Sequence, residues 1–240
     1  MESPPAEVPD RIELLYEDGP CYVVLKPAGV PTQAPPGLDS MEVRMKDYLR
    51  AREGKTGNIY LGLPHRLDRP VTGALLFARH VRACQRLARQ FEHRTVRKIY
   101  WAAVAGVVEP SEGTWIDHLR KVHGIARAEV VPADQAGGRE AVLHYHTLGK
   151  TDHGSLLEIR LETGRTHQIR VQAAARGFPV LGDELYGSAI PFGPAVEDFR
   201  QRQIALHGRL LGFEHPMTRE PVEVVAPLDS AWQRLGLPAE

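Results

Sequence analysis

The chain has 240 residues, 42% of them hydrophobic, and its 30 basic side chains are matched by 30 acidic ones. That length allows one large domain or two small ones with enough apolar material for a good core, and the absence of net charge gives no compositional pointer to nucleic acid. The longest apolar run, Tyr100 to Val108, is far shorter than the roughly 20 residues of a membrane helix, and two cysteines without clustered His or Cys partners argue against a disulfide framework and a zinc site.

Met1 to Asp10 is acidic and proline-rich and lacks the basic and apolar regions of a signal peptide, so a disordered tail over residues 1–10 and a cytoplasmic chain are expected. Strands are predicted at Ile12 to Tyr16 and Cys21 to Leu25, followed by a loop at Gly37 to Ser40 and a helix over Met41 to Arg52. A strand at Leu75 to Ala78 precedes a helix over Arg79 to His93, and Cys21 and Cys84 both read as buried bystanders. Further strands fall at Lys98 to Val104, Val142 to Thr147 and Leu156 to Leu161, with a loop at Ser111 to Gly113 and a hairpin-like connection through Lys150-Thr151-Asp152-His153-Gly154. A helix over His167 to Arg176, a loop from Gly187 to Pro194, strands at Ile204 to Phe213 and Val222 to Val225, and a helix at Asp229 to Leu235 follow. No linker divides the chain and no repeat recurs. Strands dominate and helices interrupt them irregularly, so the expected class is α+β: one domain, residues 11–240, on a mixed, largely antiparallel sheet flanked by helices.

Chemistry concentrates in a few clusters. Leu63-Pro64-His65-Arg66-Leu67-Asp68-Arg69-Pro70-Val71-Thr72-Gly73 sets one carboxylate between two arginines in apolar surroundings. A carboxylate so flanked stays ionised at neutral pH, as a nucleophile or an electrostatic anchor must. Taken alone, Asp68 reads better as a turn residue, because Asp followed by Pro and Gly is common turn chemistry. From Arg79 to Lys98 the cations Arg79, Arg82, Arg86, Arg89, Arg94, Arg97 and Lys98 accumulate against Glu92 alone. The first four recur at helical spacing opposite Val81, Cys84, Leu87, Ala88 and Phe91, giving an amphipathic helix whose basic stripe suits phosphates and equally a solvated face. Lys98, Tyr100 and Ala102 share one face of a strand, where a tyrosine stacks on a base, holds a proton or, as position alone favours, packs in the core. In Leu161 to Val171 a strand ends at Gly164, Thr166 is placed to cap the next helix, and Gly177 to close it in the left-handed conformation. Arg165, His167 and Arg170 at that helix start make an anion-facing surface; a structural histidine and salt bridges to Glu162 or Glu158 fit the same spacing.

These clusters occur together and in order, and with them the chain resembles the RluA-type family of RNA pseudouridine synthases. His65-Arg66-Leu67-Asp68 resembles the signature around the family's catalytic aspartate, and Lys98, Tyr100, Ala102, Val104 and Gly106 resemble its second motif. Gly164-Arg165-Thr166-His167-Gln168-Ile169-Arg170 resembles the third, followed by Leu181-Gly182-Asp183 and Tyr186-Gly187. The likeness runs from about Leu15 through Lys26-Pro27-Ala28-Gly29 to His215-Pro216 and Ala226-Pro227-Leu228. It implies a catalytic domain that isomerises a uridine within RNA, replacing the N1 glycosidic bond by a C5 to C1′ bond, with no cofactor and no metal. It implies Asp68 as nucleophile, attacking either C1′ or the base; Tyr100 against the uracil, helping to remove the C5 proton; and Arg170, ahead of Arg165, paired with Asp68. His65, Arg66, Leu67, Lys98, Arg165, Thr166, His167 and Ile169 fall in its substrate-binding motifs, with Arg66 at the gap left when the target nucleotide leaves its stack.

The implied partner is a structured RNA, rRNA or tRNA, met by a monomer. Many members carry an S4-like RNA-binding domain, which is not expected here because the motifs start so near Met1. RNA contacts are therefore expected on the catalytic domain's own surface, at Arg79, Arg82, Arg86, Arg89 and Arg165 to Arg176. Three positions depart from the family's habit: Val71 where a hydroxyl residue is common, Gln172 in place of a histidine, and Arg219 in place of a glycine. The alternatives are a catalytically inactive RNA-binding or RNA-chaperone protein of the same fold, against which Asp68, Tyr100 and Arg170 speak, and a hydrolase such as a glycosidase. The latter would want a second carboxylate as proton donor.

Overall fold

The computed structural model describes residues 12–235, so the tail expected over 1–10 lies outside the described residues. In chain order the elements are β1 (Leu14–Asp18), β2 (Cys21–Lys26), α1 (Met41–Glu53), β3 (Thr72–Ala78), α2 (Val81–Glu92), β4 (Arg97–Ala105), β5 (Glu112–Lys121), β6 (Ala128–Val131) and β7 (Arg139–Thr151). There follow β8 (Gly154–Leu161), α3 (Gln168–Ala175), β9 (Leu206–Glu214), β10 (Pro221–Val225) and α4 (Ser230–Gln233), with short 3-10 turns at Glu184–Tyr186 and Phe199–Gln201. The ten strands make one sheet in the order β1-β2-β3-β9-β4-β8-β7-β5-β6, with β10 also beside β9. The pairing of β3 with β9 is parallel and the others are antiparallel, so the expected mixed α+β class is the one observed.

Strand alternation sorts the core. Tyr22, Val24, Leu75 and Phe77 face a large cluster that Met41, Met45 and Leu49 of α1 complete. Cys21, Val23, Ala74, Leu76 and Ala78 face a second, closed by Ala83 and Leu87 of α2. Each large side chain so buried contributes roughly 1.5–3 kcal/mol. The helix α1 starts where Ser40 Oγ accepts from the Val43 N–H and stops at Gly54, whose φ of +62° only glycine adopts freely. Helix α3 serves two clusters, Ile169 and Ala173 in the first and Val171 against Leu119, Ala128 and Tyr186 in a third.

Several expectations are corrected. Glu112 and Gly113 open β5 instead of lying in a loop, and neither β5 nor β6 was predicted. Of the β5 side chains only Trp115 and Leu119 are buried while Ile116 points outward, which blurs the alternation that marks a strand. Arg79 precedes α2 rather than joining its stripe; Val81 and Ala88 are exposed, Ala83 is buried in their stead, and Cys84 is only half-buried. The family departures find local reasons. Gln172 is buried, and its amide donates to Asp117 Oδ2 at 2.7 Å. Arg219 has φ +71°, a left-handed conformation in which glycine is the comfortable residue.

Candidate active site

The loop carrying Asp68 is fastened on both sides of that residue. Lys26, fully buried at the end of β2, donates through its ammonium to the carbonyls of Pro27, Arg69 and Val71 at 2.7, 3.0 and 2.8 Å. Three donors thus meet three acceptors; desolvation brings the Lys26 pKa down to about 7, against the pull of Asp68. On the other side Thr32 Oγ1 accepts from the Leu67 N–H at 3.1 Å and donates to the Leu67 carbonyl at 2.8 Å. Between the anchors the Val71 N–H reaches the Asp68 carbonyl at 3.1 Å, so Asp68 does open a turn, and that turn projects its carboxylate. The hydroxyl missing at Val71 is not needed there: the side chain is buried and apolar, and it is the carbonyl that Lys26 holds.

Beside this loop Gly73 has φ +125°, and a Cβ on it would lie 2.4 Å from the Gly208 carbonyl oxygen. The missing side chain of Gly73 lets β3 meet β9 in parallel at Gly208, beside the cavity that Asp68 lines with Tyr100 of β4 and Leu206 of β9.

The opposite wall is the start of α3. Thr166 does not cap it; His167 does, at φ +54° and with no side-chain cap bond. The turn is tied instead by Gln168, whose Oε1 accepts from the Arg165 N–H at 3.0 Å and the Thr163 hydroxyl at 2.8 Å. Left-handed backbone at a non-glycine residue costs of order 1–3 kcal/mol. Here it turns the imidazole between Tyr186, whose hydroxyl is 2.9 Å from Nδ1, and Asp68, whose Oδ2 is 3.6 Å from Nε2. Burial holds His167 below its usual pKa even though Asp68 pulls the other way. The Tyr186 hydroxyl, itself accepting from the Ala128 N–H at 2.8 Å, holds the ring with Nε2 toward the carboxylate. Gly177 closes α3 at φ +81°, as expected.

One turn further, Arg170 joins two carboxylates. Its Nε and Nη2 donate to Asp183 Oδ2 and Oδ1 at 2.6 and 2.8 Å, and its Nη1 donates to Asp68 Oδ2 at 3.2 Å. The guanidinium also lies over the Tyr186 ring at 5.1 Å. Burial works against the Arg170 charge, but the Asp183 bonds and both carboxylates outweigh it and raise its pKa. The salt bridges expected with Glu162 or Glu158 are not the ones Arg170 makes. Arg165 makes no bond to Asp68 and donates through Nε to the Glu140 carbonyl at 2.9 Å. Both contacts to Asp68 fall on Oδ2; Oδ1 makes no hydrogen bond among the described residues.

Leu67, Val71, Tyr100, Leu161, Ile169 and Leu206 floor a cavity of about 110 Å³, with Arg66, Asp68, Arg165 and Arg170 around its rim. Ligand pockets for larger molecules run to roughly 300–1,000 Å³, so this one admits a single small ring. Burial, with Asp68 nearby, pushes the Tyr100 phenol well above its usual pKa, so it stays neutral. That suits packing and weighs against a phenolate base.

Other expected site residues lie elsewhere. His65 stands behind the loop, stacked on Phe91 with ring centroids 4.8 Å apart, and its Nε2 accepts from the Leu76 N–H at 3.0 Å. Lys98 is buried and lines a separate groove with Arg94 and Glu162. Thr166 borders the outer rim with Arg66 and Lys121. Of the proposed RNA surface, Arg79 pairs with Glu53 at 2.8 Å and Arg176 with Asp117 at 2.7 Å, while Arg82 and Arg89 are exposed and Arg86 donates to the Pro216 carbonyl. Sequence reasoning quoted Asp183, Tyr186 and Lys26 only as motif members and assigned them no role; the sequence signal available was a lone acid or lysine in an apolar motif. Among the described residues no group of three or more His, Cys, Asp or Glu is placed to hold a metal ion, and no helix is long and apolar enough to cross a membrane.

Comparison with known proteins places this geometry in context. The profile of the family described as RNA pseudouridylate synthase matches residues 20–175. An uncharacterized RNA pseudouridine synthase of Synechocystis sp. is 33% identical, the alignment covering 93% of this chain and 68% of that protein. Ribosomal large subunit pseudouridine synthase D of Pseudomonas aeruginosa is 34% identical over 92% of this chain and 70% of its own length. Among solved structures, human RNA Pseudouridylate Synthase Domain Containing 4 shares the fold, with a TM-score of 0.76 at 24% identity over 95% of this chain and 94% of that one. Human RNA Pseudouridylate Synthase Domain Containing 1 gives a TM-score of 0.69 at 26% identity over 95% and 86%.

Proposed function

The chain belongs to the RNA pseudouridylate synthase family, and from that premise we propose that it isomerises uridine to pseudouridine in a structured rRNA or tRNA with Asp68 as nucleophile. The observation that carries this reading is the placement of Asp68 at the mouth of the cavity floored by Tyr100, with one carboxylate oxygen held by Arg170 and the other free. The cavity takes the uracil of a nucleotide extracted from its stack, packed on the neutral Tyr100. Oδ1 attacks the ribose C1′ or the base, the N1 to C1′ bond breaks, and the detached base stays confined while it turns. C5 then bonds to C1′, Asp68 is released, C5 gives up its proton and N1 takes one, so the product is an isomer and nothing else is consumed. Arg66, exposed on the rim, enters the gap left in the RNA. Residues 11–240 act as one catalytic domain, as a monomer in the cytoplasm. The large-subunit rRNA named for the Pseudomonas relative is the first substrate to test.

A hydrolytic outcome is disfavoured by the fate of the nearby second carboxylate. Asp183 is buried and committed to Arg170 through both oxygens, so it is in no position to protonate a leaving group. The test is conversion by the purified chain on unmodified large-subunit rRNA and tRNA transcripts, read by nucleoside mass analysis. Wild type forms pseudouridine, and Asp68→Asn forms none while still binding the RNA. No conversion in either RNA class, or release of free uracil, overturns the reading.

A further inference from the structure

A second, wider cavity of about 650 Å³ shares Asp68, His167 and Arg170 with the first but none of its apolar floor. Pro70, Leu185, Phe199 and Ile204 form its apolar walls. Phe199 is 67% exposed and Leu185 44%, an unusual outlay of apolar surface beside a charged site. Phe199 sits in the 3-10 turn that Asp198 caps by accepting from the Arg200 N–H at 2.8 Å, so its position is set by the backbone although its side chain is largely exposed. Three cations besides Arg170 border the same cavity. Arg202 is paired with Glu184, whereas Arg69 and Arg200 make no ion pair among the described residues, and the Arg200 guanidinium lies 5.7 Å from the Phe199 ring centre.

A nucleotide held with its base in the small cavity is covalently tied to neighbours on both sides, and the Asp68 and Arg170 rim is an edge across which one of them can leave. The wider cavity opens there. It offers an aromatic face that takes any base by stacking, and guanidinium groups for the phosphate. We propose that this cavity is a subsite for an unpaired nucleotide adjacent to the target uridine, its base on Phe199 and its phosphate beside Arg69 and Arg200. The proposal rests on the reading of the chain as an enzyme acting on RNA. It adds that two nucleotides, not one, are drawn out of the RNA's own stacking. The feature that commits the occupant is continuity with the reacting carboxylate together with cations on the rim; an apolar peptide would use the walls and leave those cations idle.

Two readouts separate this proposal from the reading beneath it. Conversion by the wild type tests the enzyme; the dissociation constant of the same transcript for wild type, Phe199→Ala and Phe199→Tyr tests the subsite without turnover. Phe199→Ala weakens binding about 5- to 100-fold and Phe199→Tyr by less than about twofold, because the stacking face is what matters. In transcripts made abasic at one or the other neighbour of the mapped or candidate uridine, the Phe199→Ala penalty disappears for one of the two. Phe199 is exposed enough for its truncation to leave the fold intact, which thermal unfolding checks. Equal affinities for wild type and Phe199→Ala, or a penalty that persists in both abasic transcripts, overturn the proposal and leave the apolar walls to a protein partner.

Discussion

Replacing Asp183 by Asn tests whether the aim of Arg170 is set from behind Asp68, the proposed nucleophile. Two of the three guanidinium nitrogens bond to Asp183, at 2.6 and 2.8 Å, and only Nη1 reaches Asp68, at 3.2 Å. Arg170 is 4% exposed and Asp183 2%, so the pair is dry. Removing one partner of such a pair costs about 3–5 kcal/mol, and because Asn keeps one acceptor the loss falls near the lower figure. A domain with roughly 5–15 kcal/mol of stability remains folded at 25 °C after that loss. The released guanidinium then turns to the carboxylate that remains and closes on both oxygens of Asp68. A misplacement of about 1 Å in a reacting constellation is worth about 100-fold in rate, and single-turnover conversion should fall by that order while RNA affinity changes far less. The assays are urea unfolding, single-turnover conversion and RNA binding on the same preparation. A folded Asp183→Asn chain that converts uridine within about threefold of wild type would refute the reasoning.

Three further outcomes follow from the same geometry. His65 is drawn to a pKa of about 3, by burial first and Lys98 second, so from pH 6.5 downward the unfolded chain takes up a proton that the folded chain refuses. Stability therefore falls toward acid by up to about 1.4 kcal/mol per pH unit, or about 2.3 kcal/mol between pH 6.5 and 4.5. His65→Gln, which keeps an acceptor for the Leu76 N–H, should flatten that dependence, and parallel pH profiles of the urea midpoint would show that the His65 imidazole is not the titrating group. Arg82 and Arg89 are exposed on α2, and changing both to Gln should reduce the salt slope of RNA binding by about 1.5, at roughly 0.7–0.9 per lost phosphate contact; an unchanged slope removes the α2 stripe from the RNA surface. Arg219→Gly relieves a φ of +71° at the loss of an exposed pair with Glu214, so it should raise stability by about 1 kcal/mol in thermal unfolding, and a fall would show that the pair outweighs the strain.

The elements legible in the sequence were those whose signals are local. Ser40 and Gly54 bracket α1, strict burial marks β2, and a short polar turn joins β7 to β8. What escaped depends on partners far along the chain. β5 takes its place from Leu143 and Tyr145 of β7 rather than from its own pattern, and β3 starts three residues before its apolar run because Gly73 meets Gly208. The charged stripe shows the same limit. Spacing put Arg79 with Arg82, Arg86 and Arg89, but the chain bends before α2 and hands Arg79 to Glu53. Motif membership likewise marked His65 and Lys98 without saying that both stand behind the cavity and not in it.

Spacing alone does not choose between Arg165 and Arg170 as the partner of Asp68; the family resemblance put Arg170 first, and neither supplied the reason the pairing works. A free arginine beside a carboxylate tends to bond both oxygens in a fork, and a carboxylate so clamped has no oxygen left with which to attack. Asp183 prevents this by occupying Nε and Nη2, which leaves Arg170 one nitrogen for Asp68. His167, held from behind by Tyr186, approaches that same Oδ2. Arg170 and His167 therefore both approach the carboxylate at Oδ2, Lys26 fastens the loop from beneath, and Oδ1 is left without a hydrogen bond among the described residues. None of that is a property of any one motif. It arises because a parallel contact between two glycines, a left-handed histidine and a buried acid 13 residues beyond Arg170 all converge on one carboxylate.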